Sequence, residues 1–257
     1  VTELTAVVLA GRRGGVDPVA AAAGISHKAL VPVAGVPMLA RVLAALRATP
    51  AVTRIVVVIE APESALATLP PETLEGVQLC PAALSPSLSV AAVLERFGAP
   101  LLVTTADHAL LTPAMVSHFL AASPPGADAT AALARDKVIL AAYPGTRRTW
   151  LRFRDGAFSG CNLFLLRNAP AAGGAVAFWR RVEQDRKRPL AMIRLLGPLA
   201  VLRFALGIMP LSAALKALSR RVGARLAVVE MPFAEAAVDV DKPEDLALAE
   251  AILAKKN

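Results

Sequence analysis

The sequence is poor in aromatic side chains, cysteine, histidine and acidic residues, and each shortage narrows what the protein does. One tyrosine and two tryptophans in 257 residues leave little surface for stacking nucleic-acid bases. Outside "RRVEQDRKR" at 180–188 there is no long basic run, so a nucleic-acid partner is not expected. The two cysteines, Cys80 and Cys161, lie far apart without CxxC spacing; they offer neither a zinc site nor a disulfide framework and fit a reducing compartment. His108 has no second histidine at ligand spacing and reads as local structure. Acidic Glu3 and a strand-like run stand in place of the basic and apolar regions of a secretory signal, which predicts a cytoplasmic protein. Asp and Glu number 20 against 28 Lys and Arg, a formal net charge of +8. That balance favours anionic partners such as nucleotides, phosphorylated metabolites or an anionic membrane surface.

What the chain has in quantity is apolar residues, 56% of the total, ample for a sizeable core. Short β-branched or leucine-rich runs recur as "LTAVVL" at 4–9, "RIVVVIE" at 54–60, "PLLVTTAD" at 100–107 and "CNLFLLR" at 161–167. Helical stripes lie between them, as in Met38, Leu39, Val42, Leu43 and Leu46, and again at 87–97 and 113–122. Alternating strands and helices predict an α/β fold, a Rossmann-like, doubly wound and mostly parallel sheet. Past residue 125, "ATAALARDKVILAAY" and "TWLRFRDG" read as strands joined by short turns, a β-rich insertion or edge, and an insertion of that kind often covers a nucleotide site. Residues 172–222 read as a helical elaboration broken by Pro189, Pro198 and Pro210. A strand at 226–230 and a helix from Pro243, with Glu244 and Asp245 in its first turn, close the chain. The expectation is one domain over 1–257.

Gly11, Gly14 and Gly15 follow the first strand, where a doubly wound sheet opens its ligand crevice and where glycine lets backbone amides approach phosphate. Their spacing matches neither the dinucleotide nor the P-loop pattern, and a structural turn would look the same. Asp107 just past a strand suits either a turn or a hard cation. Ser87 or Ser89 reads as a helix N-cap.

Joined to "SHKALVPVAGVPMLARVLAAL" at 26–46, "VVLAGRRGG" resembles the opening of the MobA-like and sugar-phosphate nucleotidyltransferases: a glycine-rich loop, a lysine and leucine, then a Gly-Pro turn. Lys28, Leu30, Gly35, Pro37 and Met38 occupy those positions. The usual second glycine and Arg-Met pair are missing, with Arg12 and Arg13 standing in. "SLSVAAVL" at 87–94 resembles the serine-valine segment beside the base in cytidylyltransferases. "LLVTTADHALLTP" at 101–113 and "VDVDKPEDLALAEAIL" at 238–253 resemble the two metal-binding blocks. The resemblance implies a GT-A-like nucleotidyltransferase fold. It implies nucleotide binding by Leu9, Ala10, Gly11, Arg12, Arg13, Gly14, Gly15, Lys28 and Ser89, Mg²⁺ on Asp107, Asp241 and, more weakly, Asp239, and catalytic roles for Lys28, Asp107 and Asp241. Ser159, Gly160 and Asn162 in "FSGCNLFLLR" are placed on the acceptor side.

The implied reaction moves a nucleoside monophosphate, CMP ahead of GMP, from its triphosphate to a phosphorylated sugar or alcohol and releases pyrophosphate. A glycosyltransferase using a nucleotide sugar and a non-catalytic nucleotide-binding regulator are the alternatives. Arg147, Arg148, Arg152 and Arg154 are candidate phosphate clamps. Residues 186–221 are basic and apolar but too interrupted for a spanning helix, which needs about 20 mostly uncharged apolar residues. They are expected to pack on the core, to join a homo-dimer, or to meet the inner face of an anionic membrane peripherally.

Overall fold

The β-branched runs of the first half are strands buried on both faces, as a parallel sheet between helical layers requires. The computed structural model describes residues 3–12, 14–185 and 197–255. In order, the first half comprises β1 (Leu4–Leu9), α1 (Pro18–Ala23), a small hairpin of β2 (Pro32–Val33) and β3 (Val36–Pro37), α2 (Met38–Arg47), β4 (Val52–Ile59), α3 (Pro62–Ala65), β5 (Val77–Pro81), α4 (Pro86–Phe97), β6 (Leu101–Thr105) and α5 (Pro113–Ala122). The second half adds β7 (Ala129–Arg135), α6 (Asp136–Ala142), β8 (Leu151–Phe153), β9 (Gly156–Leu166), α7 (Ala169–Asp185), α8 (Pro198–Ala205), α9 (Leu211–Val222), β10 (Leu226–Met231) and α10 (Pro243–Ala254).

The strands form one eight-stranded sheet in the order β5-β4-β1-β6-β9-β7-β10, with β8 beside β9. β5, β4, β1 and β6 run parallel, β9 is antiparallel to both its neighbours, and β10 is parallel to β7. Side chains alternate across the sheet. Ala6 and Val8 face α2 and α5 through Leu39, Leu43, Leu46, Met115 and Phe119, whereas Val7 faces α4 and α7 through Val90, Val93 and Val176. Because β1 has β4 on one side and β6 on the other, the strand order reverses at β1. Leu9 lies level with Val58 and Thr105, so the chain leaves β1, β4 and β6 at a common edge, where such sheets hold ligands.

Three expectations are corrected. The stretch 129–143 is strand only to Arg135; from Asp136 it is helix, with that aspartate in the first turn and Ile139 buried. β7 is no cover over the site, since it pairs with β9 and β10 inside the main sheet. The N-cap of α4 is Ser85, whose Oγ accepts from the Leu88 amide, rather than Ser87 or Ser89. The helical elaboration resolves into α7, α8 and α9, with Pro198 and Pro210 at helix starts; Pro189 and the rest of 186–196 lie outside the described residues. Among the described residues no helix is long and apolar enough to cross a membrane.

Candidate active site

The loop after α1 brings Lys28 to the sheet edge in a short 3-10 turn, Lys28–Leu30, anchored by buried Ala29, Leu30 and Val31. Gly35, at φ +77°, turns the β2–β3 hairpin that returns the chain into α2. Val31 and Met38 pack with Val238, Val240, Ala249 and Ile252, which draws the closing motif against the lysine loop. The Val240 amide donates to the carbonyl of Asp107 at 3.1 Å, tying that motif to the end of β6. Asp245 accepts from the amides of Asp241 and Lys242 and so fixes the start of α10.

These supports bring together three side chains distant in sequence. Lys28 Nζ donates to Asp107 Oδ2 at 2.6 Å and to Asp241 Oδ1 at 2.7 Å. Asp107, 15% exposed, is the inner carboxylate and also accepts from Thr105 Oγ1; Asp241, 57% exposed, is the outer one. Burial opposes the charge of Lys28, but the two carboxylates outweigh it and hold its pKa above that of an ordinary lysine.

Asp239 is engaged elsewhere. Its carboxylate accepts from Arg148 at 2.7 Å and from Asn162 at 3.4 Å. Burial and the charges of Asp241 and Asp107 push its pKa up to about 6 against the pull of Arg148. Arg148 is 6% exposed and also reaches Asp245 at 3.2 Å; the expectation of a phosphate clamp there gives way to a buried strut. Among the described residues no group of three or more carboxylate, histidine or cysteine side chains is spaced to hold a metal, so any cation here would rest on the Asp107–Asp241 pair and on substrate oxygens. His108 is buried beside Thr104, and burial lowers its pKa to about 4, in keeping with a structural role.

Two cavities open on this edge. The larger, about 570 Å³, is lined by Leu9, Ala10, Gly11, Arg12, Lys28, Asp107, Asp241 and Asn162 and then by apolar residues. The smaller, about 410 Å³, is lined by Gly11, Arg12, Gly14, Glu60, Ser85, Ser89 and Glu183. They meet at Leu9, Gly11, Arg12, Pro86 and Trp179. Gly11 sits at a close approach: a Cβ there would lie 3.1 Å from both Ala82 Cβ and Glu60 Oε1, tight enough that a neighbour must give by a few tenths of an ångström. Gly15 lines neither cavity, and Arg13 lies outside the described residues. Ser89 Oγ accepts from the Ala83 amide at 3.0 Å and shapes the loop before α4. Of the acceptor candidates, Asn162 reaches the larger cavity from a bulge in β9 at φ +46°; Ser159 and Gly160 line neither. Glu60 was missed: it follows β4 directly and accepts from the Arg12 amide at 2.8 Å. Its signal was a carboxylate closing the apolar run "RIVVVIE".

The model of the MobA-like NTP transferase domain matches residues 6–186. A hypothetical transferase from Thermus thermophilus is 33% identical over 95% of this chain and 100% of its own, with a TM-score of 0.81. CMP:2-keto-3-deoxy-manno-octonic acid synthetase, solved with CTP, aligns over 100% of both chains at 15% identity and a TM-score of 0.59. The 4-diphosphocytidyl-2C-methyl-D-erythritol synthase of Anaerococcus prevotii aligns over 98% of both at 11% identity and a TM-score of 0.59. These last two share the fold. No curated protein matches the chain.

Proposed function

The chain belongs to the MobA-like NTP transferase family, and from that premise we propose that it transfers a nucleoside monophosphate, CMP ahead of GMP, from its triphosphate to a phosphorylated sugar or alcohol. In this reading residues 1–257 act as one nucleotidyltransferase domain with α7–α9 as its helical elaboration. The observation that carries it is the ammonium of Lys28 between Asp107 and Asp241 at the edge where the glycine turn emerges. A site that already holds a positive charge between two hard oxygen donors suits the chemistry of phosphoryl oxygens.

An acceptor phosphate oxygen attacks the α-phosphorus in line. The new P–O bond forms as the bond to the α–β bridging oxygen breaks, and pyrophosphate leaves with that electron pair. The acceptor is already ionised, so no general base is needed, and the protein's work is alignment and charge compensation. Lys28 and Arg12 meet the negative charge of the triphosphate. The amides of the glycine turn approach it closely because Gly11 has no side chain. Asn162 faces the acceptor. The Asp107–Asp241 pair fits Mg²⁺, which is commonly held by one or two carboxylates plus substrate, and which would neutralise charge on the transferring phosphate.

Pyrophosphate release with each of the four triphosphates and a panel of sugar and alcohol phosphates tests the reaction. Asp107→Ala and Asp241→Ala should each lose most turnover with unchanged circular dichroism, and EDTA should do the same. Full activity under any of the three conditions overturns the metal-dependent reading. A nucleotide-sugar donor turned over without pyrophosphate would support the glycosyltransferase alternative.

The setting of the reaction follows from α8, whose Leu199, Leu202 and Leu206 are 67%, 55% and 62% exposed. That exposure speaks for a lipid surface or a second copy over core packing as the role of these three side chains. Arg203 lies on the same helix, Phe204 meets Phe153 of β8 edge-on at 5.4 Å between ring centroids, Arg152 lies within that strand and Arg154 just after it. No acidic residue falls between Lys187 and Glu230. An exposed apolar helix that carries Arg203 and packs near Arg152 and Arg154 suits an anionic lipid interface, which supports the reading of a peripheral protein on the inner face of the membrane.

A further inference from the structure

We propose that the larger cavity receives the apolar chain of the acceptor, so that the acceptor is an amphiphilic alcohol phosphate; the inference rests on the nucleotidyltransferase reading and deepens it. The charged residues lining this cavity, Arg12, Asp17, Lys28, Asp107 and Asp241, all sit at one end. From there it runs along the face of the sheet to Ala129, Leu166 and Leu226. Those three stand level with one another and with Leu101, at the opposite edge of the sheet. The four-residue step from Thr105 to Leu101 corresponds to about 13 Å of strand. Along it the described walls carry no charge and include Phe164, Trp179, Leu215 and Leu218.

The void has a sequence cause. Ala129, Ala131, Ala175 and Ala227 place small side chains on its surface. The absence of a side chain at Gly174 lets α7 meet α9: a Cβ there would lie 2.7 Å from the Val222 carbonyl oxygen. A slot with one charged end and an uncharged apolar length is complementary to a phosphate on a hydrocarbon chain. A nucleotide base suits it poorly, because base edges need hydrogen-bond partners. The smaller cavity supplies those through Glu60, Ser85 and Glu183 and joins the slot at the glycine turn, where phosphates of donor and acceptor would meet.

The test is calorimetric titration with ethyl, hexyl and decyl phosphate below their micelle concentrations, with decanol as the chain lacking phosphate. Each buried methylene should tighten binding roughly fourfold, so hexyl should exceed ethyl phosphate by on the order of a hundredfold. Decanol should bind more weakly than decyl phosphate. Ala131→Leu and, separately, Ala175→Leu should flatten the series while leaving the thermal shift caused by nucleoside triphosphate unchanged, which also certifies folding. A flat series in the native protein overturns the proposal, as does a steep series that survives both substitutions, which would seat the chain elsewhere, such as on α8. Failure of the underlying reading looks different: no triphosphate shifts the melting temperature and no pyrophosphate forms, whatever the chain-length series. If pyrophosphate forms with short acceptors and the series is flat, the slot alone fails.

Discussion

Two carboxylates held at one site repel each other, and the position of Lys28 between Asp107 and Asp241 relieves that repulsion in the ligand-free protein. Lys28→Met removes a charge that preorganises the site, so kcat should fall roughly 10²- to 10³-fold. A rise in KM alone would make Lys28 a uniform binding contact. The same variant leaves the carboxylates facing one another, so Mg²⁺ should raise its melting temperature more than it raises that of the native protein; equal shifts would count against a shared cation site. At this scale Lys28, Asp107 and Asp241 were legible as candidates through the ordered motifs that carry the resemblance, and the fold brings the three side chains together. Glu60 shares the strand-end pattern but lies outside the motifs that carry the resemblance, and Arg148 has no local pattern. Their partners, the Arg12 amide and the Asp239 carboxylate, lie 48 and 91 residues away, and contacts of that range are not displayed by the local sequence.

Among the elements, β9 does the most to shape the Asn162 side of the larger cavity. Its register slips against β7 between Ala131 and Leu133, and the bulged Asn162 turns toward Asp239 and the cavity. Arg148, from the segment before β8, ties that bulge to the closing motif. Arg148→Met should therefore destabilise the protein by about 3 kcal/mol, because a buried ion pair broken on one side strands the other charge. Exposed Arg152→Met should change stability by less than about 0.5 kcal/mol. Urea denaturation measures both, and equal midpoints would deny Arg148 its buried role. Strands β1, β4 and β6 were legible because β-branched or leucine-rich runs bounded by turns stand out, whereas β5, Val77–Pro81, ends in a proline and has no such run. The switch from strand to helix at Asp136 was not legible, because "ALARDKVILAA" is apolar in both periods and only packing against the rest of the fold decides.

For the molecule as a whole, alternation of strands and helices was enough to give a doubly wound sheet. The place of β7, β9 and β10 was not legible, since antiparallel insertion into a parallel sheet depends on contacts far apart in the chain. The lipid-facing reading of α8 predicts salt-sensitive co-sedimentation with anionic but not neutral vesicles, weakened by Leu202→Glu. No binding at low salt, together with a dimer on size-exclusion chromatography that Leu202→Glu dissociates, would assign the face to a second copy. The bridge made by Lys28 also spans the chain in time. Its bond to Asp107 closes 79 residues and its bond to Asp241 closes 213. The second closure costs only about 0.9 kcal/mol more chain entropy than the first, so equilibrium stability barely registers the difference. During synthesis the order is strict: the glycine turn, the lysine and the inner aspartate all exist before the outer one has been translated. Any nascent chain halted between them carries Lys28 with a single carboxylate, and the site comes into being only when the closing helix folds onto the sheet that precedes it.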